Sequence, residues 1–269
     1  MNEVGTSIPR VAVVISTWDG NPSDYIFSLV DSLNRYNAGV PYDLYLCANG
    51  ESYRLPQNLS NIFKKLLVRE NTSFNLGAWD YAWRILPQYD NYLFMQDDCY
   101  IKKNNWLKDF IQCFNSIEKC GLVGEYLNKS WDMPWTELTG SDSKKKVSKK
   151  KRERAEFYIE TLRKWGIPKS ETASHLTSVV HFASRKILEE VDGYIITNDY
   201  NEAIAAEIAF SKKIQNKGYE IVQIGKRRHS RIGHRQWMSD GFFSRLANSI
   251  KKRTGLLTNI EKRSNPYGD

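Results

Sequence analysis

Five consecutive apolar residues, Val11-Ala12-Val13-Val14-Ile15, constrain this chain more than any other stretch. A strand with one wet face alternates apolar and polar side chains. An unbroken apolar run belongs to a strand covered on both faces, as in the middle of a parallel sheet. The flanking sequence fits that expectation. Asn21 to Tyr36 has helical spacing through Tyr25, Leu29 and Leu33. Tyr42 to Cys47 then alternates as a second strand and stops at the turn pair Asn49-Gly50. A short strand over Phe63–Val68, a helix over Gly77–Leu86, a strand over Tyr92–Met95, a helix over Trp106–Ile117 and a strand over Gly121–Gly124 follow. Strand–helix alternation of this kind predicts an α/β fold with a mostly parallel central sheet flanked by helices.

From Leu127 to Ser170 the alternation breaks, and residues 127–170 read as an insertion into one domain. Its Ser/Lys-rich start leads into a helix, Arg152 to Trp165, ended by Gly166-Ile167-Pro168. The pattern then resumes with a strand over Ser178–Phe182, helices over Arg185–Val191 and Asn201–Lys217, and a strand over Glu220–Ile224. Phe242 to Ile250 alternates apolar and basic residues at helical spacing. The expected organisation is a domain over 1–240 and a basic amphipathic helical extension over 241–269.

Thirty-nine Lys and Arg give a net charge of +8, concentrated in Lys144–Arg154 and Lys226–Arg263. Such stretches suit phosphorylated substrates, anionic lipid or nucleic acid, or are simply solvated loops. The aromatic-interleaved strand motif of RNA-binding modules is absent, so nucleic acid is not an expected partner. No apolar run reaches the 18 residues that a membrane span needs. The start does not resemble a signal peptide, and Cys47, Cys99, Cys113 and Cys120 lack CxxC spacing. The expectation is reduced thiols and a cytoplasmic location.

Asp97 and Asp98 close the apolar strand Tyr92–Met95. Adjacent acids after a strand can simply open a turn. They can also offer hard oxygen ligands at the carboxyl edge of a sheet, where open α/β folds bind ligands and where Mg²⁺ or Mn²⁺ would accompany a diphosphate. On the helix Asn201–Lys217, a turn of 100° per residue puts Glu207 in the stripe of Ile204, Ile208 and Ile214, and Glu202 on the wet face beside Lys213. An acid in an apolar stripe is either a general base with a raised pKa or half of a buried salt bridge. His175 and His181 flank a strand and read as structural. His229 and His234 fall in a basic loop; either could join Asp98 at a metal while Arg227, Arg228 and Arg231 neutralise phosphate. HExxH, GxSxG and Walker signatures are absent.

Together these segments resemble family 2 glycosyltransferases of the GT-A fold, and within them bacterial polysaccharide enzymes of the rhamnan-synthesis type. The resemblance covers roughly 11–125 and 178–237. Val11–Thr17 matches the opening strand of the Rossmann-like nucleotide-binding half. Arg69–Asp80 is similar to the family's Asn-x-Gly-Phe-x-x-Gly segment, with Ser73 where glycine is usual. Phe94-Met95-Gln96-Asp97-Asp98 is similar to the strand bearing the DxD-type motif, with Gln96 at its first acidic position. Ala206–Tyr219 is similar to the family's Glu-Asp-x-Asp-Leu helix and its following Gly-aromatic pair.

The resemblance implies an inverting transfer of a sugar from a UDP- or dTDP-sugar to a hydroxyl of a bacterial surface glycan or lipid-linked acceptor. Asp98 and His229, with His234 as the second choice, would hold Mn²⁺ or Mg²⁺. Glu207 would be the base, with Glu202 or Asp199 in reserve. Thr17, Asn49, Asn71, Asp80, Asp97 and Arg231 would contact the nucleotide diphosphate. An anionic membrane surface is a candidate partner of the C-terminal extension, whose apolar face could equally pack on the domain. A non-catalytic sugar-nucleotide or glycan binder is the alternative, since Ala48, Gln96 and Ala206 stand at usually acidic positions.

Overall fold

The structure, a computed structural model, describes residues 10–141 and 147–237. The chain divides into two compact units, 1–234 and 235–269. In the second only the 3-10 turn Arg235–Trp237 is described. The expected helix over Phe242–Ile250, the domain boundary at 240 and Lys144–Lys146 lie outside the described residues.

The first half alternates β1 (Val11–Trp18), α1 (Ser23–Arg35), β2 (Asp43–Asn49), β3 (Lys65–Arg69), α2 (Phe74–Ile85) and β4 (Asn91–Gln96). It continues through β5 (Cys99–Ile101), α3 (Trp106–Ser116) and β6 (Cys120–Gly124). The insertion holds α4 (Trp135–Thr139) and α5 (Lys149–Lys164). The last stretch is β7 (Val180–Ser184), α6 (Arg185–Glu190), α7 (Tyr200–Asn216), β8 (Glu220–Gln223) and β9 (Ile232–His234).

Seven strands form one sheet in the order β3-β2-β1-β4-β7-β6-β8. All neighbours are parallel except β7, which runs antiparallel to both β4 and β6. The apolar run of β1 is explained by two covered faces. Val11, Val13 and Ile15 pack with Leu29 of α1 and Phe110 of α3, whereas Ala12 and Val14 pack with Trp79 of α2 and Phe210 of α7. β4 divides the same way, Leu93 and Met95 to one side and Tyr92 and Phe94 to the other. Among the described residues no helix is long and apolar enough to cross a membrane.

Helix α7 is apolar on two faces rather than along one stripe. Ala206, Phe210 and Ile214 face the sheet, while Ala205, Ile208 and Ala209 pack against Tyr158 and Leu162 of the insertion. Glu207 and Ser211 occupy the seam between them, and Ser211 Oγ accepts from Leu176 N–H at 3.2 Å. The partly buried acid Glu207 thus faces the segment that leads into β7. His175 and His181 are buried, as their flanking positions suggested. The His181 ring stacks on Tyr194 and Phe210.

Two short strands were not legible in the sequence. β5 and β9 form a separate antiparallel ribbon in which Cys99 lies opposite His234. That register places His234 beside the residue preceding Cys99, which is Asp98.

Candidate active site

The carboxyl ends of β1, β2 and β4 open into a cleft of about 400 Å³, lined among others by Thr17, Asn49, Asn71, Phe74, Asp97 and Asp98. On its floor, Asp97 accepts hydrogen bonds from Thr17 Oγ1 at 2.5 Å and from Asn21 Nδ2 at 2.8 and 3.0 Å. Burial pushes its carboxyl up to about 6 against the lowering effect of these donors, with the neighbouring Asp98 adding to the rise. Both oxygens of Asp97 are therefore engaged by protein groups that tie β1 to β4.

Asp98 is differently placed. Its Oδ1 lies 2.9 Å from His234 Nε2. The same nitrogen is 3.2 Å from Gln96 Oε1. The Gln96 amide in turn donates to Ser178 C=O at 2.8 Å, which also accepts from Asn75 Nδ2 at 2.7 Å. Ser178 turns its own donors the other way: its N–H gives a 2.8 Å bond to Glu207 Oε1, and its hydroxyl bonds the same oxygen. His234, Gln96, Ser178 and Glu207 are thus joined in one hydrogen-bonded chain, with Asp98 in close contact at its His234 end; of these, Gln96 and Asp98 line the cleft. Burial raises the Glu207 carboxyl above its ordinary range, opposed by the two Ser178 donors.

His229 stands behind His234, with ring centroids 6.3 Å apart. Burial, then the neighbouring His234, lowers its imidazole to about 4. Its backbone is left-handed, φ 54°, and the turn is held by Glu125, directly after β6. The Glu125 carboxylate accepts from the backbone N–H groups of Ser230 (2.6 Å), Arg231 (2.8 Å) and Ile232 (2.7 Å). Its pKa rises to about 7 through burial, held down by those three donors. Three backbone amides on one buried carboxylate fix the loop that delivers β9, and with it His234.

Several site expectations change. The imidazole in contact with Asp98 is that of His234, the sequence's second choice, because the β5–β9 register brings it there. Asp80 is not at the cleft: it accepts from Trp83 Nε1, Arg84 Nε and Tyr194 N–H, and so ties α2 to the 193–194 turn. The Arg231 guanidinium pairs with Asp109 of α3 at 2.9 Å rather than facing the cleft. Asn49 lines the cleft, but its side chain is committed, accepting from Arg69 and donating to Phe74 C=O. Asp199 caps α7 by accepting from Asn201 and Glu202 N–H, and Glu202 accepts from Thr197 at 2.6 Å. Neither reserve acid takes part in the Ser178–Gln96 chain.

Gln96, Ser178 and Glu125 were not picked out as site residues. Glu125 carries the signal that singled out Asp97 and Asp98, an acid closing an apolar strand. Ser178 carried none, since its role comes from which backbone and carboxylate atoms surround it.

The Asp98 carboxylate at this edge is a ligand that a hard divalent cation takes. Two ligands at about 2.1 Å on adjacent corners of an octahedron stand about 3 Å apart, and Asp98 Oδ1 and His234 Nε2 are 2.9 Å apart. Among the described residues no group of three or more His, Cys, Asp or Glu is gathered around one point. The protein side of such a site would be a carboxylate, which hard cations take, and an imidazole, which Mg²⁺ seldom takes, with phosphate oxygens and water left to complete the shell.

The fold of the seven-stranded, mostly parallel sheet and its helices is shared with a solved structure. The mannosyltransferase PcManGT from Pyrobaculum calidifontis, in complex with GDP-Man and Mn²⁺, superposes with a TM-score of 0.52 at 14% identity. The fold is GT-A. The match covers 81% of this chain and 55% of the mannosyltransferase, so the chain spans little more than half of that relative. Glucosyl-3-phosphoglycerate synthase from Mycobacterium tuberculosis, in complex with Mn²⁺, uridine-diphosphate and glucosyl-3-phosphoglycerate, is 15% identical with a TM-score of 0.49, covering 93% of this chain and 81% of that one. TarS 1–349 of S. aureus is 15% identical at 0.46, covering 81% and 59%. The GT-A assignment rests on the mannosyltransferase alone, the other two superposing too weakly to add to it. No family model matches the chain, and no curated protein matches it in sequence.

Proposed function

We propose that this GT-A protein is a metal-dependent, inverting glycosyltransferase. It would move a sugar from a nucleotide-diphosphate donor, a UDP- or dTDP-sugar, to a hydroxyl of a bacterial surface glycan or lipid-linked acceptor. One observation carries the reading: Asp98 and Gln96 line a cleft of about 400 Å³, His234 stands 2.9 Å from Asp98, and a hydrogen-bonded chain runs from His234 through Gln96 and Ser178 to Glu207. Through this chain the candidate base would be linked to the candidate cation pair. The solved mannosyltransferase of this fold binds GDP-Man and Mn²⁺, which supports a nucleotide sugar and a divalent ion here.

Asp98 and His234 would hold the cation, with His229 behind them and Asp97 positioning the Thr17–Asn21 floor. A divalent ion so bound neutralises the charge that gathers on the departing diphosphate. Glu207 accepts the proton of the acceptor hydroxyl as it attacks the anomeric carbon from the face opposite the diphosphate. Its raised pKa suits that task. Ser178 holds the reacting carboxylate in one orientation through both of its donors. A cytoplasmic location, peripheral at the inner face of the membrane, accords with a lipid-linked acceptor and belongs to the same proposal.

The test is transfer or donor hydrolysis across a panel of UDP-, dTDP- and GDP-sugars with and without Mn²⁺. Glu207→Gln should lower kcat by about 10²–10⁴, the usual contribution of a general base, with donor affinity nearly unchanged. Activity within about threefold of wild type would remove Glu207 from the role. Donor binding without metal-dependent turnover would favour a non-catalytic sugar-nucleotide binder, for which Gln96 in place of an acid is the specific motive.

A further inference from the structure

Two exposed aromatic side chains meet beside the cleft. Phe74 lines it and is 40% exposed; Tyr200 is 50% exposed, and its ring packs edge-on to that of Phe74 with centroids 6.0 Å apart. The turn that presents Phe74 is held in an unfavourable conformation. Phe74 has φ 52° and Ser73 φ 60°, left-handed backbone that a bulky L-residue seldom adopts. Three side chains keep it there. Asn198 Oδ1 accepts from the Ser73 N–H at 3.0 Å, Asn49 Nδ2 donates to Phe74 C=O at 2.7 Å, and the Arg69 guanidinium donates to Thr72 C=O at 2.7 Å. A ring that served the core would be buried. Here the constrained backbone aims an aromatic face at an open cleft, where strain of this kind serves a ligand.

The same turn reaches the candidate base. Asn75, next to Phe74, donates to Ser178 C=O, and Ser178 N–H donates to Glu207. Tyr200 opens α7, the helix that carries Glu207. At 100° and 1.5 Å per residue, the two side chains leave α7 within about 20° of one another and about 10 Å apart along it. The ring pair thus belongs to the side of the site that holds Glu207. The cleft around Phe74 is rich in amides, Asn71, Asn75 and Gln96 among them. Asn71 is exposed there, and its side chain engages no other described residue. Apolar rings bordered by groups that both donate and accept match a pyranose, whose C–H groups crowd its faces and whose hydroxyls line its rim. An alkyl chain would leave those amides unpaired.

We propose that Phe74 and Tyr200, with the Asn71 amide at their rim, bind a neutral pyranose ring of the acceptor through its C–H face. This rests on the glycosyl-transfer reading of Glu207. The polarised C–H groups of the sugar meet the negative face of an aromatic ring, and the amide pairs with a rim hydroxyl. Because Asn49 and Asn198 fix the turn in advance, the plane of the sugar is set without ordering a loop on binding. A sugar held in one plane presents only certain hydroxyls to Glu207, so the ring pair selects the acceptor and the hydroxyl that attacks.

The probe is methyl β-glucopyranoside, whose equatorial hydroxyls leave both ring faces apolar. Glucitol is the acyclic control with the same hydroxyl chemistry, and uridine and guanosine are the flat nucleoside controls. Binding is read by saturation-transfer NMR with the protein's aromatic protons irradiated, a measurement that needs no turnover. The wild type should pass saturation to the axial C–H protons of the glycoside and far less to glucitol. Phe74→Leu and Tyr200→Leu should each weaken glycoside binding roughly three- to tenfold, the range of one aromatic contact. Phe74→Tyr and Tyr200→Phe keep a ring and should stay within about twofold of wild type. Recovery in these two variants shows that the leucine effects come from the lost ring and not from misfolding. Glycoside binding untouched by both leucine variants, or no stronger than that of glucitol, overturns the proposal while donor hydrolysis stands. Loss of nucleoside binding in Phe74→Leu with the glycoside signal unchanged also overturns it, and gives the ring to the donor's base. Ring-dependent glycoside binding with no hydrolysis of any donor would instead overturn the transferase reading, and the acceptor assignment with it.

Discussion

Ser178 directs both its N–H and its hydroxyl at one oxygen of Glu207. Hydrogen bonds to the ionised form lower a carboxylate pKa, so Ser178 opposes the rise that burial imposes. As the proposed base Glu207 would have to be ionised, so activity should fall as pH drops through its raised pKa. The acid limb of the kcat–pH profile should therefore lie above the ordinary carboxylate range. Ser178→Ala removes one lowering contact and should move that limb to still higher pH. A limb that stays in place would show that Ser178 only fills space. At this scale the sequence was informative about residue types and poor about partners. Helical geometry found Glu207 on α7, but its contact with Ser178 depends on a loop nearly thirty positions earlier. The choice between His229 and His234 was likewise closed to sequence, because it turns on a three-residue strand register. Ser73, which stands where the resembled family has glycine, shows the reverse case. Its φ of 60° is a conformation that glycine adopts freely, and Asn198 Oδ1 holds it through the Ser73 N–H and hydroxyl.

Among the elements, the ribbon of β5 and β9 is the most exacting, because its three-residue strands have little stability of their own. Glu125 supplies the missing rigidity by gathering three backbone N–H groups that lead into β9, the last from its first residue Ile232. Glu125→Ala would leave those amides without their acceptor. The expected cost is roughly 3 kcal/mol of stability, and Mn²⁺ affinity should fall about 10–100-fold, as for other groups that orient a ligand. Denaturant unfolding and Mn²⁺ titration measure the two effects. Full Mn²⁺ affinity in a destabilised Glu125→Ala would separate His234 from the cation. The longer elements could be read from sequence because burial on both faces writes itself as unbroken apolar runs in β1 and β4. The ribbon could not, since three residues do not define a period. The start of α2 at Phe74, ahead of the expected Gly77, was hidden for a related reason: the helix opens from left-handed backbone at Ser73 and not from a recognisable cap.

For the molecule as a whole, buried ionisable groups of opposite tendency share the interior. Burial lowers His181 from 6.5 to about 3 and His175 to about 4. The unfolded chain takes up these protons below pH 6.5 and the folded chain does not, so each histidine removes stability as pH falls through that window. Asp97 and Glu125, raised to about 6 and about 7, act in the opposite sense, since the folded state protonates first. His181→Phe keeps an aromatic ring among Trp79, Tyr194 and Phe210 and deletes one titration. Between pH 6.5 and 4 the metal-free wild type should lose about 3 kcal/mol more stability than this variant, at up to about 1.4 kcal/mol per pH unit. Parallel pH dependences would place the His181 proton elsewhere. Gln96 has a consequence for the order of events. An amide at the head of Gln96-Asp97-Asp98, with the Asp97 oxygens taken up by Thr17 and Asn21, leaves Asp98 as the one carboxylate of the triplet beside His234. Such a site retains a bare cation poorly. Mn²⁺ titrated alone should therefore saturate weakly, and together with UDP tightly. Metal and nucleotide would then enter and leave as one complex, and the rate of product departure would be set by the pair.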